Sequence, residues 1–209
     1  METESGFAYE GSPNAVIGAV TVSELAKAKH VQEAQSLAKV KYKDREDLKE
    51  WLKDADGECL EGVLSWKMDG LTLVKTYENG SLVSSVTRGD GVEGSVVTHN
   101  TLFFKGLPLH IPYKERLMVR WEAVMSYAEF ERVNKEADGI YENPRNLATA
   151  NVQTLSANES RKREIQFFAF KLVEPEAIPQ FAELDKTGYF MEMEDDRFRF
   201  LENLGIPGA

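Results

Sequence analysis

Cysteine and histidine are both scarce in this chain of 209 residues, which has one cysteine and three histidines. The single cysteine, Cys59, cannot form a disulfide within the chain, and this favours a protein of a reducing compartment such as the cytoplasm. The histidines are scattered along the sequence, so no spacing typical of a zinc site or another metal site is present.

Long apolar runs and an excess of positive charge are also absent from the sequence. No apolar run approaches the roughly 20 residues that span a membrane, and the acidic start of the chain lacks the apolar core of a signal peptide. The formal net charge is −10, which argues against a protein that coats nucleic acid non-specifically. With 42% hydrophobic and 29% charged residues, the sequence predicts a globular cytoplasmic protein with no membrane partner.

Helix signals are spread along the chain. A capping-box pattern over Thr21–Glu24 predicts a short helix at Leu25–Lys29, and Asp44 is a suitable cap for a second helix that ends near Asp54. A second capping box, Ser126–Glu129, opens a predicted helix that stops near Gly139. Two further helices are predicted, one running from the turn-rich segment at 143–146 to about residue 155 and one over residues 190–204.

Strand signals lie between these helices. Leu71–Tyr77 and Leu82–Arg88 flank Asn79-Gly80, a pair typical of a two-residue hairpin turn. Further strands are predicted over residues 107–112, 117–120 and 165–172. Helices and strands do not alternate as regular βαβ units, so the predicted fold class is α+β, with antiparallel sheets and flanking helices. Residues 1–20 have no strong period and are predicted to be an extended arm.

The segment Ser65–Gly70 holds a lysine, one spacer, an aspartate and a glycine between two apolar stretches. If it is a strand entering a bend, Lys67 and Asp69 lie on one face, because side chains two residues apart share a face. A lysine beside a carboxylate is a candidate nucleophile, provided that burial or nearby positive charge helps the amine to lose its proton. The alternative is a surface lysine–aspartate pair at a β-bend.

Two loops have both a functional and a structural interpretation. Gly89, Gly91 and Gly94 lie within six residues and allow close approach of a ligand, but they also suit a flexible hairpin tip. The basic cluster Arg161–Arg163 could contact a phosphate backbone, but it is also typical of a solvated loop.

The chemistry-bearing segments follow one another in an order that resembles the adenylation domain of NAD-dependent DNA ligases. In chain order they are Lys67-x-Asp69-Gly70, Thr87-Arg88-Gly89-Asp90-Gly91, Arg120-x-Glu122, Asn143-Pro144-Arg145-Asn146 and Phe167-Phe168-Ala169-Phe170. The resemblance runs from about residue 11 to the C-terminus, and Lys29-His30 and Gln35-Ser36-Leu37 match the segment ahead of the lysine. It implies an ATP-grasp-like nucleotidyltransferase fold over residues 21–209, incomplete on its C-terminal side.

The resemblance also implies a reaction. The lysine amine would attack the α-phosphorus of NAD, release nicotinamide mononucleotide and keep AMP as a phosphoramidate. The AMP would then pass to the 5′-phosphate at a nick in DNA. The implied cofactors are NAD and a divalent metal such as magnesium, and the implied partner is nicked double-stranded DNA.

Site residues are carried over position by position. The implied catalytic residues are Lys67, the nucleophile, and Asp69, which would orient it. Those implied to bind the nucleotide are Ser36, Leu37, Ser65, Trp66, Met68, Gly70, Arg88, Glu122, Arg145 and Phe170. Arg88 would approach ribose or phosphate, Glu122 would meet the ribose hydroxyls or assist the lysine, and Phe170 would stack on adenine. No residue is implied as a metal ligand.

Three positions depart from the family pattern. Ser65 stands where a glutamate reads the adenine edge, and Gln153 stands where an arginine binds phosphate. Trp121 stands where a glycine is usual, and it is expected to fill or cover part of the cleft. The family's N-terminal helical domain, its later Asp-Gly-x-x-x-Lys motif and its OB-fold are not in this sequence, so they are expected on a second chain or on other parts of a longer protein.

Two functions follow from this resemblance. One is the adenylation core of an NAD-dependent DNA ligase, which the retained motif residues favour. The other is a degenerate, non-catalytic nucleotidyltransferase domain that binds a nucleotide or a partner protein, which the three departures favour. In either case only weak binding to DNA is expected from this chain alone.

Overall fold

A computed structural model of the chain describes residues 24–34, 45–54, 64–104, 106–175 and 194–209. Their strands are β1 (Lys27–Lys29), β2 (Leu71–Glu78), β3 (Ser81–Thr87), β4 (Glu93–Ser95), β5 (Leu117–Val124) and β6 (Gln166–Glu174). Four of them form one antiparallel sheet in the order β3-β2-β5-β6, and β1 pairs with β4 in a second, smaller antiparallel sheet. The predicted arm at residues 1–20 lies outside the described residues.

Helices flank these sheets, so the predicted α+β class with antiparallel sheets is confirmed. In the described ranges they are α1 (Arg45–Asp54), α2 (Thr98–Thr101), α3 (Tyr127–Glu136), α4 (Pro144–Val152), α5 (Ala157–Ser160) and α6 (Glu194–Asn203). None of these helices is both long and apolar enough to cross a membrane.

Elements with strong local signals form as predicted. Asn79 and Gly80 make the turn between β2 and β3. Ser126 caps α3, since its side chain accepts a hydrogen bond from the Glu129 N–H at 3.2 Å. At the start of α4 the Asn143 side chain accepts from the Asn146 N–H at 2.9 Å, so this helix begins three residues earlier than predicted and ends at Val152 rather than near residue 155.

The short helix predicted at Leu25–Lys29 is wrong. Lys27–Lys29 is a strand, paired with Glu93–Ser95, and Lys27 Nζ donates to Ser95 Oγ at 3.0 Å. Backbone hydrogen bonds to a segment more than sixty residues away replace the local helix, because tertiary pairing overrides a weak propensity over so few residues.

One predicted strand is absent, and the lysine segment is not a strand. Residues 107–112 contain only one bridge, between His110 and Ser81, because Pro108 and Pro112 have no N–H to donate to a ladder. Residues 64–69 are irregular, and β2 begins only at Leu71. Lys67 and Asp69 therefore do not lie on a strand.

The four-stranded sheet has a core face and a second face. Helices α3, α4 and α6 pack on the core face, with apolar residues such as Val133, Leu147 and Leu201 joining the same cluster as the sheet. On the second face Thr72, Glu122 and Phe168 form one row of neighbouring residues across β2, β5 and β6. These three residues are half-buried. Another part of the same face is fully covered, because Ala34 packs there against Val74, Met118 and Val173.

The core face contains one unexpected residue, Lys75. Its side chain is 0% exposed, and Nζ lies 3.4 Å from the ring centroid of Phe167 and 4.6 Å from that of Trp121. No described residue offers this amine a hydrogen-bond partner. Burial lowers the pKa of Lys75 well below its ordinary value, because the charged amine loses its contact with water.

Candidate active site

The carboxylate of Glu122, in the Arg-x-Glu motif on β5, is held by two donors from the start of β2. The Gly70 N–H donates to Oε1 at 3.0 Å, and the Thr72 hydroxyl donates to Oε2 at 2.8 Å. Thr72 lies directly opposite Glu122 in the antiparallel pairing of β2 with β5. The two hydrogen bonds fix the plane of the carboxylate on the second face of the sheet.

Gly70 allows the lysine motif to lie against β5. A Cβ atom at this position would lie 2.0 Å from the carbonyl oxygen of Ala123. Any side chain would therefore push the backbone of β5 away and break the hydrogen bond to Glu122. The glycine of Lys67-x-Asp69-Gly70 is required by this close approach of two backbone segments.

The electrostatics of Glu122 connect it to two cations. Burial raises the pKa of Glu122, while the hydrogen bonds from Thr72 and Gly70 lower it. The positive charges of Arg145 and Lys67 also lower it, so both cations are close enough to act on the carboxylate. Four residues, three from residues 67–72 and one from α4, thus contribute to the environment of one carboxylate.

Arg145 reaches the lysine motif through Asp69. Its Nη1 donates to Asp69 Oδ1 at 3.0 Å, across 76 residues of sequence. Arg145 projects from the first turn of α4, which Asn143 caps and Pro144 begins, so the Asn-Pro-Arg-Asn motif positions the guanidinium. Side chains of Arg145 and Asp69 are 55% and 75% exposed, so the pair is weak and free to exchange partners.

Lys67 itself is exposed, so the described residues do not bury its amine as a nucleophilic lysine was expected to be buried. The alternative of a surface lysine–aspartate pair is not supported by the contacts, because Asp69 pairs with Arg145. The positive charge of Lys67 acts instead on the carboxylate of Glu122, where it helps to lower the pKa.

The Thr-Arg-Gly-Asp-Gly segment is a hydrogen-bonded turn beside Thr72. The Arg88 N–H donates to the Thr72 carbonyl at 2.9 Å, and the Arg88 carbonyl accepts from His30 Nε2 at 3.0 Å. Asp90 Oδ1 accepts from the N–H groups of Val92 and Glu93, at 2.9 and 2.8 Å. These hydrogen bonds lower the pKa of Asp90. Gly89 and Gly91 have φ values of 58° and 101°, which suit this turn.

Two aromatic residues of the Phe-Phe-Ala-Phe segment lie on the second face. Phe168 is directly opposite Glu122, and Phe170 lies at the bulge where the pairing of β5 with β6 shifts register. Both rings are half-buried. Phe168 belongs to the motif series but is not among the predicted site residues, and Thr72 lies outside the series. Alternation gives the face of each strand, but the register of β2 and β6 on β5 is needed to place both residues opposite Glu122.

Trp121 does not cover the cleft, and that expectation is wrong. The ring is 0% exposed and lies on the core face, opposite Leu73 and Ala169. A strand alternates its side chains, so the neighbour of Glu122 points to the other side of the sheet. Bulk at this position therefore fills the core beside Lys75 and leaves the second face unchanged.

The remaining predicted residues are less closely connected. Ser36 and Leu37 lie outside the described residues, Ser65 is exposed, Met68 is half-buried and Trp66 is 81% exposed. Gln153 is the C-cap residue of α4. Arg120 donates to the Glu33 carbonyl at 2.7 Å and so ties the segment before Ser36 to the sheet.

In the described ranges, no three His, Cys, Asp or Glu residues are grouped so that they could hold a metal ion.

Comparisons with known proteins agree with the motif series. A family described as the NAD-dependent DNA ligase adenylation domain matches residues 22–200. A DNA ligase of Lachnoclostridium phytofermentans is 42% identical over 209 residues, which cover 99% of this chain and 29% of that protein. A DNA ligase of Ruminiclostridium cellulolyticum is 40% identical over 90% of this chain and 27% of its own length, and one of Campylobacter curvus is 31% identical over 95% and 31%.

The chain spans less than a third of the length of each of these relatives. The family match, by contrast, covers most of the chain and includes every motif around Glu122. The chain therefore belongs to the NAD-dependent DNA ligase adenylation domain family.

Proposed function

We propose that this chain is the adenylation core of an NAD-dependent DNA ligase and that Lys67 is its nucleophile. The observation that carries the proposal is the convergence on Glu122. Gly70 and Thr72 hold its carboxylate, and the charges of Lys67 and Arg145 act on it. Family membership then gives this arrangement a reaction, the transfer of AMP from NAD to a lysine.

In the proposed step the neutral amine of Lys67 attacks the α-phosphorus of NAD. A nitrogen–phosphorus bond forms, the phosphorus–oxygen bond to nicotinamide mononucleotide breaks, and the amine loses its proton. Glu122 is suited to accept that proton, or to accept a hydrogen bond from a ribose hydroxyl. Burial raises its pKa, while the hydrogen-bond donors and the two cations favour its charged form. Since Lys67 is exposed, a nucleotide lying over it supplies the desolvation that favours the neutral amine.

The nucleotide is proposed to lie on the second face of the sheet. Phe170 offers a ring for adenine, and stacking needs only an aromatic face. Arg88 and Arg145 offer planar donors suited to phosphate. The exposed pair of Arg145 with Asp69 would open as the phosphate takes the guanidinium and Asp69 turns to Lys67.

Further parts of the reaction lie beyond these residues. Because the described ranges contain no group of metal ligands, we infer that magnesium would be carried by the nucleotide phosphates, as is usual for this ion. Nicked DNA is the proposed acceptor of AMP, with weak binding to this chain alone. Other domains of a longer cytoplasmic protein, or a second chain, would grip nicotinamide mononucleotide and DNA, while residues 21–209 form the adenylation domain and residues 1–20 an arm.

Intact-mass spectrometry tests this proposal. The purified chain is incubated with NAD and magnesium, with and without the helical domain of a relative supplied as a separate protein. The expected result is a gain of one AMP per chain, increased by the helical domain and lost in Lys67→Arg. Absence of any adduct in the presence of the helical domain would contradict the proposal and favour a non-catalytic nucleotide-binding domain.

A further inference from the structure

Thr72 occupies a junction between three parts of the site. Its hydroxyl donates to Glu122 Oε2 at 2.8 Å, and its carbonyl accepts from the Arg88 N–H at 2.9 Å. The N–H of Gly70, two residues earlier, donates to the other carboxylate oxygen, Oε1, at 3.0 Å. The short segment from Gly70 to Thr72, where β2 begins, therefore binds both the glutamate of the Arg-x-Glu motif and the backbone of Arg88.

The hydroxyl of Thr72 is well suited to this task. A β-branched side chain on a strand has few χ1 rotamers, whereas a glutamate side chain has three rotatable bonds and would otherwise sample many positions. The donor thus reduces the number of orientations that the carboxylate can adopt. It also stabilises the charged form, because a hydrogen bond donated to a carboxylate favours ionisation and here opposes the effect of burial.

We propose that Thr72 is a positioning residue for adenylation, whose hydroxyl holds the carboxylate of Glu122 in one orientation beside the lysine motif. This inference rests on the function proposed above. The Gly70 N–H can hold only one oxygen, so without the Thr72 hydroxyl the carboxylate rotates about the remaining hydrogen bond. Glu122 then takes up a proton more readily, and a larger share of molecules has it protonated at neutral pH and below.

A substitution pair on β2 isolates this hydroxyl. Thr72→Val keeps the volume and β-branching but removes the donor, and Thr72→Ser keeps the donor. Thr76→Val is a matched control, because Thr76 lies on the same strand and the same face, opposite Ser84 and Met118 rather than Glu122. Thermal unfolding of each variant checks that the fold is retained, and Thr72→Ala replaces Thr72→Val if the latter does not fold.

The first measurement does not depend on activity. The side-chain carboxyl of Glu122 is titrated by carbon-13 NMR in the full 209-residue chain, with Glu122→Gln to assign the signal. Thr72→Val is expected to raise the pKa of Glu122 above that of the wild type, while Thr72→Ser and Thr76→Val leave it near the wild-type value. An unchanged titration in Thr72→Val would overturn the proposal, whether or not the chain forms an adduct.

The second measurement is the pH profile of AMP-adduct formation with NAD and the helical domain. In Thr72→Val the acidic limb should move to higher pH, and the plateau rate should fall about two- to tenfold, the range expected for one lost hydrogen bond. A fall that is equal at every pH would indicate a merely structural role and would overturn the proposal. If the wild type forms no adduct, the proposed function fails, and the NMR titration still decides whether Thr72 controls Glu122.

Discussion

Lys75 should destabilise the folded chain, and replacing it with methionine should make the protein more stable. The amine is fully buried between the rings of Phe167 and Trp121 and has no hydrogen-bond partner among the described residues. Methionine has a similar length and flexibility but no group that loses hydrogen bonds to water on burial. The change therefore keeps the packing and removes the unpartnered polar atom.

The size of the effect follows from two competing terms. Leaving a buried polar group without a partner costs about 1–3 kcal/mol. A protonated amine would recover about 2 kcal/mol from the rings, but burial favours the neutral amine, which lacks most of that attraction. Above about pH 10.4, where the unfolded amine is neutral as well, the expected gain for Lys75→Met is thus about 1–3 kcal/mol, which corresponds to a rise in Tm of about 2–12 °C for a chain of this size. At lower pH the gain is larger, because the unfolded amine is protonated.

The pH dependence of unfolding provides a second and more specific readout. Because the pKa of Lys75 is lowered in the folded state, the unfolded chain binds one more proton than the folded chain from that pKa up to about pH 10.4. The free energy of unfolding must then rise with pH, by up to about 1.4 kcal/mol per pH unit from this group. Lys75→Met loses that rise, so the difference in stability between the two proteins should shrink as the pH rises from the folded-state pKa of Lys75 to about 10.4.

Urea unfolding at several pH values measures both quantities, with Lys135→Met, an exposed lysine on α3, as the matched control. The control should change stability little at any pH. A Lys75→Met protein that is less stable than the wild type, or one with the same pH slope, would refute the argument, because either result means that the amine is charged and favourably paired in the fold.

Three further changes test contacts of the site. Gly70→Ala should cost about 2 kcal/mol or more in urea unfolding, because its Cβ would lie 2.0 Å from the Ala123 carbonyl oxygen; a neutral change would contradict the close approach. Arg145→Ala should cost less than about 1 kcal/mol of stability, since its pair with Asp69 is exposed. The same variant should slow AMP-adduct formation about tenfold or more, and an unchanged rate would exclude Arg145 from phosphate binding. Asp90→Ala should lower Tm and Asp90→Asn should not, because Asn keeps an oxygen for the two N–H donors. Since these bonds lower the pKa of Asp90, the wild-type advantage over Asp90→Ala should be largest above about pH 4 and shrink as the pH falls through the folded pKa, and a constant Tm difference would contradict it.

Elements that depend on neighbouring residues could be predicted from the sequence. The Asn79-Gly80 hairpin and the Ser126 cap of α3 form as expected, because a turn and a cap are decided within four residues. The helix expected at Leu25–Lys29 failed because its residues pair with Glu93–Ser95, and no local signal reports a partner so distant along the chain. The strand expected at residues 107–112 failed for a reason that was visible, namely its two prolines.

The same division applies to the site. The motif series indicates Asp69, Glu122 and Arg145, and the fold brings them to the start of β2. Thr72 could not be linked to Glu122 without the register of β2 on β5, which depends on pairing across fifty residues. Trp121 shows the opposite error. A tryptophan in place of the family's glycine predicts bulk in the cleft, whereas strand alternation turns the ring into the core.

Peptide mapping of the AMP adduct shows directly whether Lys67 is the nucleophile. After incubation with NAD, magnesium and the helical domain, the chain is digested under conditions that keep the phosphoramidate intact, and the modified peptide is sequenced by tandem mass spectrometry. We expect one modified lysine, Lys67, and release of unmodified chain when nicotinamide mononucleotide is added back. An adduct on another lysine, or none while Glu122 and Arg145 are intact, would contradict it.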